Sequence, residues 1–359
     1  MLWDIFCRVI DNHGDLGVCW RLSANLASRG HHIRLWVDDP SALAWMAPQA
    51  HLNEQGLASL HIENGHIEVR PWTAPLDDAS APSEVWIEAF GCELPDHFVQ
   101  HAAQTTIQHA DQSDPVWVNL EYLSAESYVE RSHQLPSPVM SGPLKGRTKW
   151  FFYPGFTEKT GGLIREQHVS EKVVQVAKPS PERTSLFCYE PAALGEALQL
   201  KSLNTPQHQW QVAHGRGAKA FDVALSHIAR SGQDRQPQFE KLPPVSQTEF
   251  DELLCSSDLN FVRGEDSLVR ALWAGKAFIW HIYPQDDGAH GPKLEAFLDW
   301  LQAPPSLRLF HLKWNGLSQA ALPEVDLPLW QACVLSARAR LMAQTDLVSQ
   351  LLQFVAEKR

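Results

Sequence analysis

The first forty residues alternate between a strand, a helix and a second strand, and this order constrains the fold more than any other feature of the sequence. Residues 2–10 (LWDIFCRVI) are rich in β-branched and aromatic side chains and indicate a buried strand. Residues 17–30 (GVCWRLSANLASRG) carry an apolar stripe at helical spacing and end in a glycine, and residues 32–40 (HIRLWVDDP) indicate the next strand. Because strand–helix–strand units join parallel neighbours in a sheet, we expect an α/β fold.

The same alternation continues along the chain and indicates a second α/β domain. Further strands are predicted at 67–72, 84–90, 115–123, 185–191, 208–215, 258–266 and 276–284, and further helices at 193–200, 247–256, 266–274, 291–302 and 338–357. Residues 168–184 contain two prolines and several charges, as linkers do. A chain of 359 residues is also longer than one ordinary core supports.

We therefore predict four segments along the chain. Residues 1–172 form an N-terminal Rossmann-like domain, 173–184 a linker, 185–337 a C-terminal nucleotide-binding domain, and 338–359 a helix that packs back on the N-terminal domain. Two such domains facing each other would place a ligand cleft at the carboxyl ends of both sheets.

Composition and charge exclude several classes of protein. The chain is 44% hydrophobic and 20% charged, which is typical of a globular protein, and no apolar run approaches the roughly 18–20 residues of a transmembrane helix. Asp4 and Arg8 interrupt the only early apolar stretch, and the six cysteines are scattered without a C-x-x-C pair. We expect a cytoplasmic protein with free thiols and no membrane partner. A net charge of −12 argues against nucleic-acid binding, and the histidine spacing indicates no metal site.

Two aspartates, Asp11 and Asp15, stand in the turn DNHGD between the first strand and the first helix. Helix capping explains one acid, since a carboxylate near a helix start satisfies free amides and suits the helix dipole. Two acids together with Gly14 and Gly17 at the carboxyl end of a strand also fit a catalytic turn. From the residues alone, both interpretations stay open.

A second strand-to-helix turn, RGEDS at 263–267, favours an anion. Asp266 and Ser267 are cap-type residues, and amides at a helix start with a glycine bend at Gly264 bind phosphate well. Arg263 is placed to clamp a diphosphate, although an ordinary capped turn with an Arg–Glu pair would have the same sequence. Aromatic and amide side chains near other strand and helix ends suit a nucleobase but are equally typical of a core: Phe187, Tyr189, Gln247 and Phe250.

Taken together, these stretches resemble the protein-arginine rhamnosyltransferases of bacterial elongation factor P. The similarity covers nearly the whole chain and rests on five segments: DIFCRVIDNHGDLGVCWRL (4–22), WVNLEYLSAES (117–127), FFYPGFTEKTGGLIRE (151–166), LFCYE (186–190) and FVRGEDSLVRALWAGKAFIWHIYPQ (261–285). The resemblance implies a GT-B glycosyltransferase with two Rossmann-like domains facing across a cleft. It implies an enzyme that needs neither a metal nor a cofactor and moves L-rhamnose from dTDP-β-L-rhamnose to an arginine of elongation factor P, with inversion.

The resemblance also assigns roles to individual residues. It implies that Asp15 is the general base, that Asp11 holds the acceptor guanidinium, and that Glu265 is a second essential carboxylate. The remaining expected substrate contacts lie in the two turns and around the nucleotide: Gly14, Phe187, Tyr189, Gln247, Phe250, Arg263, Gly264, Asp266 and Ser267. One departure is LPPVSQ at 242–247, where the family has a further aromatic before Gln247.

Two other functions fit the same features. The chain could be another nucleotide-sugar enzyme of this architecture, such as an epimerase or a small-molecule glycosyltransferase, and the acceptor would discriminate these. It could instead be a nucleotide-binding adapter without catalysis, in which case the carboxylates of Asp11 and Asp15 could be replaced by amides without loss of activity.

Overall fold

The computed structural model describes residues 1–10, 13–76, 83–108, 114–167, 169, 181–230, 236–285 and 288–359, with the backbone alone at 105–108. Their contacts divide the chain into two compact units. The first unit comprises Met1–Glu166 together with Gln344–Arg359, and the second comprises Gln167–Ala343. No helix within the described ranges is both long and apolar enough to cross a membrane.

Both units are built of strands and helices. Up to residue 166 they are β1 (Leu2–Cys7), α1 (Gly14–Ser28), β2 (His32–Val37), α2 (Leu43–Met46), β3 (Ala58–Ile62), β4 (Gly65–Pro71), β5 (Val85–Ala89), α3 (Asp96–Gln108), β6 (Val116–Leu120), α4 (Tyr128–Ser132), β7 (Pro136–Pro138) and β8 (Thr148–Phe152). Beyond it they are β9 (Arg183–Leu186), α5 (Leu194–Ala197), β10 (Gln209–Val212), α6 (Arg216–Arg230), β11 (Gln238–Lys241), α7 (Gln247–Ser256), β12 (Leu259–Arg263), α8 (Gly264–Ala274), β13 (Ala277–His281), α9 (His290–Leu301), α10 (Pro305–Trp314), α11 (Leu327–Met342) and α12 (Leu347–Lys358).

The sheet of the first unit has the strand order β3-β4-β2-β1-β5-β6-β8-β7. Its inner strands are parallel, as the βαβ pattern predicts, while β3 and β7 pair antiparallel at the two edges. Ile5 of β1 pairs with Leu35 of β2 and with Ile87 of β5, and Ala89 of β5 pairs with Leu120 of β6. The carboxyl ends of β1, β5 and β6 are therefore adjacent, which brings the residues that follow these strands together.

Both faces of this sheet are covered, which explains the nearly continuous apolar sequence of β1. Leu16 and Leu22 of α1 pack with Ile5 on one face, and Phe98 of α3 lies against Phe6 on the other, with ring centroids 4.6 Å apart. The one carboxylate in β1, Asp4, is fully buried and is compensated there. Its two oxygens accept hydrogen bonds of 2.7 and 2.6 Å from the guanidinium of Arg34, and Trp36 Nε1 donates a further one of 2.7 Å.

The last helix, α12, belongs to the core of the first unit. Its apolar face includes Leu347, Leu351 and Phe354, all buried in the same cluster as β1 and α1. The prediction of a single helix at 338–357 is wrong, because α11 ends at Met342 and α12 begins at Leu347. The Asp346 carboxylate accepts from the Ser349 amide at 3.0 Å and so caps a new helix start.

The second unit has a parallel sheet with the order β11-β10-β9-β12-β13. Because β9 lies beside β12 and β13 beside β12, residues that follow these three strands meet at one edge. Strand β9 begins at Arg183, inside the linker predicted at 173–184, while residues 170–180 lie outside the described part of the chain. The contact division also places Gln167, predicted to be in the first domain, with the second unit.

Most predicted strands extend past their observed carboxyl ends, and the helices after the DNHGD and RGEDS turns begin earlier than predicted. The strand predicted at 2–10 ends at Cys7, and that at 208–215 ends at Val212. Helix α1 begins at Gly14 rather than residue 17, and α8 at Gly264 rather than residue 266. In both cases the polar and glycine residues assigned to a loop form the first turn of the helix. All six cysteines are free thiols, as expected.

Candidate active site

The RGEDS turn joins β12 directly to α8 in the second unit. Arg263 is the last residue of the strand and the N-cap of the helix, and Gly264 has a φ of +66°, which L side chains rarely adopt. A Cβ on Gly264 would stand 3.5 Å from the Tyr189 hydroxyl, and Trp280 Nε1 donates to the Gly264 carbonyl at 2.8 Å. This bend lets the first-turn amides of α8 begin at the carboxyl edge of the sheet, where the positive end of the helix dipole favours an anion.

The Ser267 side chain stabilises the backbone of the RGEDS turn. Its hydroxyl oxygen accepts a hydrogen bond from the Arg263 amide at 3.0 Å and donates one to the Arg263 carbonyl. While these two bonds are kept, the Ser267 hydroxyl is occupied. Only the backbone amide of Ser267 can then make the expected contact with a donor nucleotide. Asp266, also expected to contact the nucleotide, lies in the same first turn.

The guanidinium of Arg263 lies against two aromatic rings. Its Cζ is 4.4 Å from the ring centroid of Phe187 and 4.9 Å from that of Tyr189, and Nη1 donates to the Cys188 carbonyl at 3.2 Å. Burial lowers the pKa of Arg263 from its ordinary value. Among the residues described here, none of the ion pairs involves this guanidinium. A half-buried cation without a carboxylate partner is a site for an anionic ligand.

The Tyr189 ring also contacts a second arginine, Arg216, which the sequence analysis missed. Arg216, at the start of α6, has its Cζ 5.2 Å from the Tyr189 ring centroid and makes two hydrogen bonds to Glu190, at 2.7 and 2.6 Å. Burial raises the pKa of Tyr189 to about 12, so the phenol keeps its proton and can donate it in a hydrogen bond. The signal for Arg216 was present: HGRG follows a predicted strand in the same way as RGEDS does.

His281 ends β13 beside this group. Its ring lies edge-on to Tyr189, with centroids 5.2 Å apart, and burial lowers its pKa to about 3, so the imidazole is neutral. The positive charge at this edge of the sheet therefore comes from Arg263 and Arg216 and not from His281.

Glu265, the predicted second carboxylate, is half-buried in the first turn of α8. Lys293 of α9 donates from Nζ to Glu265 Oε1 at 2.6 Å. The lysine limits the negative charge beside the RGEDS amides, which suits an anion there. Lys293 was missed because it is 28 residues from Glu265 and meets it only through the fold of the second unit, which no local pattern predicts.

The residues expected around a nucleobase also meet at this edge. Phe250 of α7 packs edge-on to Phe187, with centroids 5.2 Å apart, and Gln247 is the first residue of the same helix. Phe187 therefore connects the Arg263 guanidinium to α7. The sequence left open whether these residues belong to a core or a site, and Phe187, Gln247 and Phe250 are all partly exposed.

A capping box positions α7. The Ser246 hydroxyl accepts from the Glu249 amide at 3.3 Å, and the Glu249 carboxylate accepts from the Ser246 amide at 2.7 Å. We expect Ser246→Ala to lower the free energy of unfolding by about 1 kcal/mol, because it removes one side of this box. Urea unfolding would measure the change. Ser127→Ala is the matched control, because Ser127 precedes α4 without making a cap hydrogen bond and should change stability little.

In the first unit, Asp15 is the second residue of α1 and not its cap. The N-cap is His13, whose side chain makes no cap hydrogen bond, so Asp15 does not cap the helix, although an acid in the first turn still suits the helix dipole. Asp15 Oδ2 instead accepts a hydrogen bond of 3.3 Å from the hydroxyl of Tyr122, which follows β6. Gly14 is exposed, and no atom of the described residues lies within 4 Å of its Cβ position, its chain neighbours aside. Asp11, the other predicted carboxylate, lies outside the described residues.

Within the ranges that the structure describes, no three histidine, cysteine, aspartate or glutamate side chains come together as a metal site requires. The positive charge at the RGEDS turn is supplied by Arg263, Arg216 and helix amides.

The sequence matches the family model of the elongation factor P (EF-P) rhamnosyltransferase EarP over residues 3–356. A protein-arginine rhamnosyltransferase of Pseudomonas aeruginosa is 38% identical over 388 aligned positions, covering 99% of each chain. One from Pseudomonas putida is 42% identical over 319 positions, covering 82% of this chain and 80% of the relative.

Two solved structures are also similar to this chain. One described as the structural basis for EarP-mediated arginine glycosylation of translation elongation factor EF-P covers 100% of this chain and 99% of its own, with a TM-score of 0.54 and 26% identity. Another, described as trehalose-6-phosphate from E. coli bound with UDP-2-fluoro glucose, aligns with a TM-score of 0.50 at 8% identity and supports the fold alone. The chain has the GT-B fold with two Rossmann-like units, and the predicted fold class is confirmed.

Proposed function

The chain belongs to the EarP family of elongation factor P rhamnosyltransferases, and on this premise we propose that it transfers L-rhamnose from dTDP-β-L-rhamnose to an arginine side chain of elongation factor P. The observation that carries the proposal most directly is the Arg263 guanidinium. It is a half-buried cation that lies against two rings at a helix N-terminus, and a negatively charged ligand would stabilise it.

A nucleoside diphosphate is such a negatively charged ligand. Its two phosphates carry the charge that Arg263 and the α8 amides attract, and Tyr189 adds a neutral hydroxyl donor. The base then extends towards Phe187 and Phe250, whose rings provide a stacking surface, with the Gln247 amide to bond the edge of a thymine. The missing aromatic in LPPVSQ leaves this surface to Phe187 and Phe250.

An arginine acceptor suits the carboxylate of Asp15. Free guanidinium has a pKa above about 12 and is a poor nucleophile while it is protonated. A carboxylate that binds it aligns one nitrogen and takes up a proton as the new bond forms. The exposed Gly14 beside Asp15 leaves room for such a side chain to approach. Asp11 stays a prediction as a second contact to the guanidinium.

The proposed reaction is a single displacement. A guanidinium nitrogen attacks the anomeric carbon, the bond from that carbon to the diphosphate oxygen breaks, and the nitrogen's proton passes to Asp15. The bonding electrons leave with dTDP, whose charge Arg263 and the helix amides stabilise. One displacement inverts the anomeric centre. Since the chain's own groups supply the positive charge, we propose that no metal is needed.

The test combines the purified protein, dTDP-β-L-rhamnose and elongation factor P. We expect intact-mass spectrometry to show one added deoxyhexose, peptide mapping to place it on one arginine, and NMR of the product to show an inverted linkage. An acceptor with that arginine changed to lysine is the control and should stay unmodified. Addition of EDTA should not slow the reaction. No mass increment, or one that also appears on the lysine control, would refute the proposal.

A further inference from the structure

Two aromatic rings lie beside Asp15 at the carboxyl edge of the first unit's sheet. Phe90 directly follows β5 and Tyr122 follows β6 by two residues, and β1, β5 and β6 are neighbours in the sheet. The two rings stack, with centroids 4.9 Å apart and planes inclined by 27°. Tyr122 is 41% exposed and Phe90 is partly exposed, so the stacked pair is not enclosed in the core.

The backbone holds the Phe90 ring in place in a conformation that a bulky residue rarely adopts. Phe90 has a φ of +57°, in the left-handed region, and the next residue, Gly91, has a φ of +69°. The Phe90 amide donates to the Leu120 carbonyl at 2.7 Å, which ties this bend to the end of β6. A strained aromatic residue at an exposed strand end indicates a functional constraint rather than packing alone.

The Tyr122 hydroxyl joins the rings to the proposed base, since it donates to Asp15 Oδ2 at 3.3 Å. Two ring systems with negative faces therefore stand next to a carboxylate. This combination repels phosphate and attracts a cation, and it favours a flat one, because guanidinium can stack on a ring while its edge bonds to a carboxylate. An ammonium ion has no plane to stack.

We propose that Phe90 and Tyr122 form a shelf on which the acceptor's guanidinium stacks, and that the Tyr122 hydroxyl orients the Asp15 carboxylate towards it. The inference rests on the proposed function and adds the residues that select arginine. The shelf acts on acceptor binding through the Tyr122 ring and on turnover through its hydroxyl, so the two effects are separable by mutation.

Steady-state kinetics of Tyr122 variants separate the effect on acceptor binding from the effect on turnover. We expect Tyr122→Ala to raise the KM for elongation factor P about tenfold or more, as loss of a desolvated cation–π contact does, and to leave the KM for dTDP-β-L-rhamnose unchanged. Tyr122→Phe keeps the ring, so it should restore the acceptor KM while kcat stays several-fold reduced. Phe90→Leu, which keeps an apolar side chain, should raise the acceptor KM alone.

Tyr128→Ala is the matched control, because Tyr128 is another exposed tyrosine of the same unit, 42% exposed, and should leave both constants unchanged. Thermal unfolding of each variant shows whether the fold is kept. An unchanged acceptor KM in folded Tyr122→Ala, or an equal rise in both KM values, overturns the shelf.

A binding measurement keeps this test separate from that of the proposed function. Elongation factor P is titrated into the protein by calorimetry, without donor. If the unaltered protein binds the acceptor but transfers nothing, the proposed function fails, and weaker binding by Tyr122→Ala still supports the shelf. Equal binding by both proteins, or binding by neither, overturns it.

Discussion

Asp15→Asn should lose rhamnosyl transfer by about a thousandfold while it binds dTDP as tightly as the unaltered protein. General-base catalysis contributes typically about 10²–10⁴-fold, and the amide can neither accept the proton nor hold a guanidinium by charge. The side chain keeps its size, and the Tyr122 hydroxyl can still donate to the amide oxygen. Transfer is measured by mass spectrometry under single turnover, and dTDP binding by calorimetry.

A first-turn aspartate elsewhere in the same unit provides the control. Asp96 is exposed in the first turn of α3, so Asp96→Asn likewise removes one negative charge from the first turn of a helix. If Asp15 acts only through the helix dipole, the two variants should behave alike, with losses of stability below about 1 kcal/mol and no loss of transfer. Full transfer by Asp15→Asn would remove the general-base assignment.

We expect Arg263→Ala to weaken dTDP binding by about thirtyfold or more. Loss of one partner from a buried charge pair costs about 2–5 kcal/mol, and about 1.4 kcal/mol corresponds to a factor of ten. Thymidine, which lacks the diphosphate, should lose little affinity in the same variant, because its contacts are to rings and an amide. Arg263→Lys should be intermediate, since it keeps the charge but not the forked donors.

Calorimetric titration with dTDP and with thymidine measures both effects. Arg308→Ala serves as the control, because Arg308 of α10 pairs with Asp299 at the surface of the same unit. Equal losses of affinity for the two ligands would point to a damaged base pocket, and an unchanged titration with dTDP would exclude the clamp.

The sequence predicted best what depends on neighbours along the chain. The βαβ order, the parallel sheets and the RGEDS turn follow from periodicity and from the glycine at position 264, and α7 was predicted with its observed bounds at 247–256. Local rules were less successful at element ends, since polar and glycine residues that resemble a loop can form a first helical turn, as Gly14 and Asp15 show.

The sequence could not predict contacts that depend on the order of strands in a sheet. Tyr122 is 107 residues from Asp15, and they meet because β1, β5 and β6 are adjacent. Arg216 and Lys293 reach the RGEDS region from helices that follow other strands. Helix α12 was predicted as part of one long helix at 338–357, whereas the cap at Asp346 starts it anew.

The position of α12 has a consequence for the synthesis of the chain. Leu347, Leu351 and Phe354 complete the core around β1, so the first unit takes its central strand from one end of the chain and a core helix from the other. On the ribosome, the second unit's residues emerge before α12 does. The first unit therefore cannot complete its core until the whole second unit and the residues that follow it have been synthesised.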